Sequence, residues 1–411
     1  MSLVRKKILL WAVFAFGANI IVYTLITISK PSNDEPSLTK ATKTIIPEGT
    51  FWKMSLDHSA YWNLLQHYLD RRYNPILKNA SVGQLPGNVS YFLTRQSNLQ
   101  NNVTCTQDSD IAMHIKDFST LPEQVRDFME SMHCRNYTLL IDYPELCTKE
   151  APDLLLAIKS QVPNFENRQA IRESWGKSGK VNNITIKAIF LMGRQDPSSG
   201  PFFPNLEGLL KLERDNYKDV LLWDFKDTFY NLTLKDVLFL EWFDKNCAGV
   251  RYVFKGDDDI FLNTESLAEL VASHITGKES PDLFQGQVIY NASPLRNVKL
   301  KYFVPDSLYA GTYPPYVGGG GMVYTGDLAR KLNRMTKRVV LFPIDDVYMG
   351  MCLQRLGVSP LEHTGFKTFD IAEDSRGNPC SYKNLIVVHR RTPKEMIRLW
   401  KQMHSMELNC S

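Results

Sequence analysis

Tyr252-Val253-Phe254-Lys255-Gly256-Asp257-Asp258-Asp259-Ile260-Phe261 drives an apolar run into three adjacent carboxylates and out again. Like charges side by side repel, so such a triplet between apolar flanks needs a compensating partner. A hard divalent cation, which prefers oxygen ligands, is the simplest one; the alternative is a solvated acidic turn or a helix N-cap. The residues Val250–Phe254 are β-branched and aromatic enough to form a strand, which sets the triplet at that strand's carboxyl end. An EF-hand is excluded, because Leu262 stands where that loop needs glycine.

Working outward, the same grammar recurs. Leu154–Ile158 is a short apolar run suited to a buried strand, Ile184–Leu191 is a second strand closed by Gly193, and Val220–Trp223 is a third. Between them, Arg168–Trp175 reads as a helix ending near Gly176, and Leu234–Phe243 as a helix closed by Asn246 and Gly249. Strand–helix alternation predicts an α/β fold with a mainly parallel central sheet. Ligands of such sheets bind outside the carboxyl ends of the strands, where the triplet lies.

Four further stretches carry groups able to do chemistry. Arg168 and Arg172, spaced i, i+4, share one helical face and would suit a phosphate or nucleotide; the alternative is a solvated face paired with Glu166 and Glu173. Tyr313-Pro314-Pro315-Tyr316-Val317-Gly318-Gly319-Gly320-Gly321 reads as a loop whose backbone can approach a ligand, with aromatic residues for a sugar or base to pack on. Asp345-Asp346, inside the apolar frame Phe342–Gly350, offers a general base or a helix N-terminus complementing its dipole. His389 ends the strand-like run Leu385–Val388, as a structural histidine or as one more metal ligand.

The chain ends are of another kind. Arg5, Lys6 and Lys7 precede an apolar run from Ile8 to Ile28, about the ~20 residues that cross a bilayer. This predicts a cytosolic tail over residues 1–7, a retained type II signal-anchor over 8–28, a Ser/Thr/Pro-rich stem over 29–50 and everything beyond in a lumen. Residues 51–150 read as a lumenal N-terminal extension with helical spacing at Leu121–Met132, and residues 151–411 as the catalytic domain. Asn-x-Ser/Thr acceptors at Asn79, Asn88, Asn102, Asn136, Asn183, Asn231 and Asn291 agree with a lumenal ectodomain. So do the 7 cysteines, all beyond the anchor, an odd number that leaves at least one outside an intrachain pair. None has CxxC spacing, which disfavours zinc. A net charge of only +4 over 411 residues argues against nucleic acid as a partner.

Taken together, the blocks Arg168–Trp175, Phe190–Gly193, Asp227–Lys235, Lys255–Phe261, Tyr313–Gly321 and Asp345–Gly350, in that order, resemble the Golgi β-1,3-glycosyltransferases, inverting enzymes of the GT-A fold. Tyr73–Leu77, Cys134–Tyr137 and Leu139–Asp142 are similar to the branch of that family that transfers N-acetylglucosamine, with β-1,3-galactosyl transfer or an inactive glycan-binding scaffold as the alternatives. The resemblance implies UDP-GlcNAc as donor, with Ile158, Arg168, Arg172, Leu191, Gly193, Lys235, Lys255, Asp257, Asp258, Gly319 and Gly320 around it. It implies Mn²⁺ or Mg²⁺ held by Asp259 with His389, and Asp346 as the base for a galactose hydroxyl. It further implies galactose-terminated acceptors on glycoproteins or glycolipids, attachment to the Golgi membrane, and association with itself or with other glycosyltransferases.

Overall fold

The computed structural model describes residues 60–73, 105–196, 206–276, 282–406 and 408–410. The expected tail, anchor and stem, and the acceptor sites at Asn79, Asn88 and Asn102, lie outside the described residues. Among the described residues no helix is long and apolar enough to cross a membrane.

The predicted α/β pattern is present. A nine-stranded sheet runs β1 (Leu139–Ile141), β5 (Val220–Lys226), β4 (Ile184–Arg194), β2 (Leu154–Lys159), β6 (Tyr252–Asp257), β9 (Tyr316–Thr325), β8 (Phe284–Ile289), β10 (Leu361–Glu362), with β3 (Gly179–Val181) beside β4. β5, β4, β2 and β6 are mutually parallel, whereas β9 runs against both β6 and β8. β7 (Phe261–Leu262), β11 (Phe366–Lys367) and β12 (Val387–Val388) make a small second sheet. The chain builds outward from β2 through β4 to β5, then returns to lay β6 on the other side of β2. That reversal opens a crevice at the carboxyl ends of β2 and β6.

β2 is apolar from Leu154 to Ile158 because both of its faces are covered, and it ends on the buried Lys159. Leu155 and Ala157 join one core layer, with α1 (Tyr61–Tyr73), α2 (Glu123–Ser131), α5 (Leu232–Asn246), α7 (Gly326–Thr336) and α8 (Asp345–Leu356). Leu154, Leu156 and Ile158 join the other, with α3 (Phe165–Glu173), α6 (Thr264–Thr276) and α9 (Pro393–Met403). α4 (Leu206–Tyr217) contributes Leu210 to this second layer.

Residue 150 marks no break in packing. Tyr61, Trp62, Leu65 and Leu69 of α1 and Val125, Phe128 and Met129 of α2 belong to the same core as the helices behind the sheet. Trp62 donates its indole N–H to the Val340 carbonyl at 3.1 Å, Gln66 accepts from the Val340 N–H at 2.7 Å, and Asp70 pairs with Arg355 of α8 at 2.7 Å. Disulfides join Cys105 to Cys134, Cys147 to Cys247 and Cys380 to Cys410, leaving Cys352 free and buried. The odd cysteine is therefore a core residue.

Candidate active site

The triplet divides by direction. Asp257 ends β6 opposite Lys159, the last residue of β2, and its carboxylate lies 3.0 Å from Lys159 Nζ. Asp258 turns inward, accepting hydrogen bonds from Ser160 Oγ at 2.6 Å and Asn164 Nδ2 at 2.9 Å. Burial pushes its carboxyl up to about 6 against the pull of those two bonds. Asp259 turns back to the cleft, where its Oδ1 lies 3.1 Å from His389 Nε2; the Asp257 Oδ2 is 3.6 Å from the same nitrogen.

His389 is set for coordination. Its Nδ1 lies 2.8 Å from the Thr368 carbonyl, which can only accept, so Nδ1 carries a proton and Nε2 is the atom left facing the two carboxylates. Asp257, Asp259 and His389 bring one ligand atom each within 4.8 Å of one another. The two carboxylate oxygens suit Mn²⁺ or Mg²⁺, and the imidazole nitrogen favours the transition metal, Mn²⁺, of the two. Asp257 stands with Asp259 in this cluster, whereas Asp258, which also lines the cleft, is tied by its carboxylate to Ser160 and Asn164.

The second acidic pair opens the first turn of α8. Asp345 is buried with its Oδ2 2.7 Å from Lys159 Nζ, so one ammonium bridges the two acidic groups. Burial alone would raise Asp345, but Lys159 and Lys255 hold it well below the usual carboxylate range. Burial and the adjacent Asp345 push Asp346 the other way, well above that range. Asp346 accepts the Gly319 N–H at 2.8 Å, which fixes the carboxylate against the strand.

The stretch predicted as a glycine-rich loop is a strand. Gly318–Gly321 lie inside β9: Val317 pairs with Val288 of β8 and Gly321 with Gly256 of β6, with a register shift in the β8 pairing across the glycines. Four glycines offer no β propensity, so only the neighbouring strands reveal it. Their use is close approach: a Cβ on Gly319 would stand 2.7 Å from Asp346 Oδ1, and one on Gly320 would stand 2.9 Å from Thr368 Oγ1 and 3.2 Å from His389 Nδ1. The bare strand thus seats the base candidate and the metal-facing histidine.

Asp257, Asp258, Asp259, Lys235, Gly319, Gly320, Asp346 and His389 line a common cleft of about 650 Å³. Other predicted donor residues do not. Arg168 is fully buried and forks onto Glu213, at 2.7 and 2.8 Å, while also donating to Ser160 Oγ and the Gln161 carbonyl. Arg172 pairs with Glu213 and Asp219, both at 2.7 Å, and stacks on Tyr217 and Phe190. Neither guanidinium points at the cleft, and their partners are not Glu166 and Glu173. Ile158 and Leu191 are core residues, and Lys255 pairs with Asp236 beneath the floor. Gly193 lies behind the lining, its N–H donating to Asp227 at 2.9 Å; Asp227 also pairs with Lys235 at 2.9 Å.

Sequence reading missed Lys159. The available signal was a cation ending an apolar strand, a position where an unpaired charge is costly. It also missed Tyr302, Phe369 and Phe229, aromatic residues at the cleft wall.

An α/β crevice with paired carboxylates and an ordered imidazole suits nucleotide-sugar chemistry, and comparison with known proteins agrees. The galactosyltransferase family model matches residues 166–364, and the chain belongs to this family of glycosyltransferases. Among its relatives, N-acetyllactosaminide β-1,3-N-acetylglucosaminyltransferase 2 of Mus musculus is 45% identical and that of Homo sapiens 44%, each over 100% of both chains. The acetylgalactosaminyl-O-glycosyl-glycoprotein β-1,3-N-acetylglucosaminyltransferase of Homo sapiens is 39% identical over 72% of this chain and 77% of its own.

Proposed function

We propose that the protein transfers N-acetylglucosamine from UDP-GlcNAc, with inversion and in β-1,3 linkage, to the terminal galactose of N-acetyllactosamine, starting or extending poly-N-acetyllactosamine. The observation that carries this reading is similarity over 100% of both chains to the N-acetyllactosaminide β-1,3-N-acetylglucosaminyltransferases 2 of mouse and human. A GT-A domain held by a type II anchor in the Golgi membrane, working in the lumen, accords with the three disulfides.

In this reading the UDP diphosphate lies at the carboxyl ends of β2 and β6. Asp257, Asp259 and His389 would hold Mn²⁺ or Mg²⁺, which when bound offsets negative charge gathering on the departing UDP. Asp346 takes the proton of the acceptor hydroxyl as its oxygen attacks the anomeric carbon from the face opposite UDP. The Gly319 N–H orients that carboxylate. Lys159 favours the ionised form of Asp345, and that charge together with burial raises Asp346, which makes Asp346 the stronger base of the pair. Lys235 steadies the 160–161 loop through the Ser160 carbonyl at 2.7 Å.

The purified ectodomain is to be given UDP-GlcNAc or UDP-Gal with N-acetyllactosamine or an O-linked N-acetylgalactosamine acceptor. Transfer of N-acetylglucosamine to N-acetyllactosamine is expected to dominate; exclusive transfer of galactose sinks the proposal.

A further inference from the structure

Of the exposed large apolar side chains that line the cleft, Phe369 is the least covered, at 63%. A single exposed phenyl ring is ordinary on a protein surface. Here, however, the backbone on both sides of the ring is tied down. Thr368 donates its N–H to Gln287 Oε1 at 2.8 Å, its hydroxyl accepts the Gly320 N–H at 3.0 Å, and its carbonyl accepts from His389 Nδ1 at 2.8 Å. Asp370 stands at φ 86°, in the left-handed region, and its carboxylate accepts from Arg391 Nη2 at 2.6 Å. Arg391 is buried and donates from Nη1 to the His389 carbonyl at 3.0 Å. Both neighbours of Phe369 are thus fastened to the metal-facing histidine. A non-glycine residue in the left-handed region persists only where its surroundings hold it, and such positions cluster at ligand sites.

Strand order gives the ring its place. β9 lies on the far side of β6 from β2. Ser160, Gln161 and Asn164, just past β2, line the β2 side of the cleft. Thr368 instead abuts β9: a Cβ on Gly318 would stand 2.6 Å from its Cγ2, and one on Gly320 2.9 Å from its Oγ1. Between those two glycines is Gly319, whose N–H is held by Asp346. With the diphosphate at the carboxyl ends of β2 and β6, Phe369 therefore stands on the base side of it. In-line attack requires the donor's sugar to lie between the departing diphosphate and the base. The sugar, rather than the nucleoside, is the part of the donor that reaches this ring.

We propose that Phe369 is a specificity residue whose ring packs on the transferred N-acetylglucosamine, covering an apolar face of the sugar and its acetamido methyl. The inference rests on the transferase reading given above. A phenyl face suits the C–H groups of a pyranose and a methyl group, and taking both partners out of water favours the sugar that carries the methyl. The fixed backbone means that little ordering is needed when the donor arrives.

The test titrates the purified ectodomain, with Mn²⁺ present, calorimetrically with UDP-GlcNAc, UDP-Glc and UDP, beside transfer kinetics on N-acetyllactosamine. Phe369→Ala removes the ring, and Phe369→Tyr restores it. Phe369→Ala is expected to melt as wild type does, because the ring is exposed. It should weaken UDP-GlcNAc binding by about tenfold or more, the scale of burying one aromatic ring, while changing UDP binding less than about twofold. Its preference for UDP-GlcNAc over UDP-Glc should narrow, its acceptor KM should stay put, and Phe369→Tyr should bind as wild type. Equal weakening of UDP and UDP-GlcNAc would put the ring on the nucleoside and overturn the proposal. Unchanged donor binding overturns it as well, whether or not the acceptor KM rises. If wild type neither binds UDP-GlcNAc nor transfers from it, the transferase reading falls; intact wild-type transfer with an indifferent Phe369→Ala overturns this proposal alone.

Discussion

The triplet Asp257–Asp259 and the doublet Asp345-Asp346 are built alike and tuned oppositely. In each, one carboxylate turns into the protein and its neighbour faces the cleft. Asp258 meets only neutral donors, Ser160, Asn164 and Asn167, and burial carries it up to about 6. Asp345, just as buried, meets the Lys159 ammonium and is held low. Desolvation is common to both, so the charge of the partner decides the sign. The consequence differs too: beside an ionised Asp345, Asp346 holds its proton more tightly, whereas Asp259 is held below the usual carboxylate range by His389 despite its burial.

The harshest way to break this comparison is at the base. Asp346→Asn should lower kcat by about 10²–10⁴-fold, the range for losing a general base, with UDP-GlcNAc affinity retained. Appreciable turnover would reject the assignment. The same variant should be more stable than wild type near neutral pH. A folded carboxyl raised above its unfolded value binds protons the unfolded chain has released, so its contribution falls as pH climbs between the two values. Thermal melts at pH 5 and pH 8 should therefore show the larger gain at pH 8.

Breaking the bridge comes next. Lys159→Met leaves Asp257 and Asp345 without their shared cation, and removing one partner of a buried ion pair typically costs about 3–5 kcal/mol, measurable by denaturant unfolding. On the metal side, His389→Ala removes a direct ligand and should weaken Mn²⁺ binding by more than the loss of about 10–100-fold typical of an outer-shell partner, read by paramagnetic relaxation, and a chelator should abolish transfer.

A gentler change sharpens the doublet. In Asp345→Asn the like charge beside Asp346 is gone, so the acid limb of the kcat profile should move to lower pH. An unmoved limb would mean that burial alone raises Asp346. The smallest effect is expected at Arg172, whose donors are committed to Glu213 and Asp219. Arg172→Lys should shift the melting temperature while changing the UDP-GlcNAc KM less than about twofold, the behaviour of structural rather than ligand-facing charge.

These outcomes bear on how far the sequence could be read. Strands such as Leu154–Ile158 were legible because burial on both faces leaves an unbroken apolar run, and β2 extends that reading by one residue, Lys159. Asp346, Asp259 and His389 were legible as charge or imidazole set in apolar frames. The role of Arg168 was not, because its partner Glu213 lies 45 residues away and i, i+4 spacing describes a helical face without saying what covers it. Nor was the strand over Gly318–Gly321, where the informative contacts are with Asp346, Thr368 and His389 rather than with anything local.

The clamp of α1 on the back of α8 has a consequence for processing. Trp62, Gln66 and Asp70 grip Val340, Arg338 and Arg355, on the segment that leads into the base helix and on that helix itself. If the proposed anchor holds the chain, a protease that cuts ahead of Ala60 would release a form with its clamp covalently attached. One that cuts between Tyr73 and Cys105 severs the clamp from the helix that carries Asp346. With the proposed anchor, the position of such a cut would decide between release with the clamp intact and loss of the support behind Asp346.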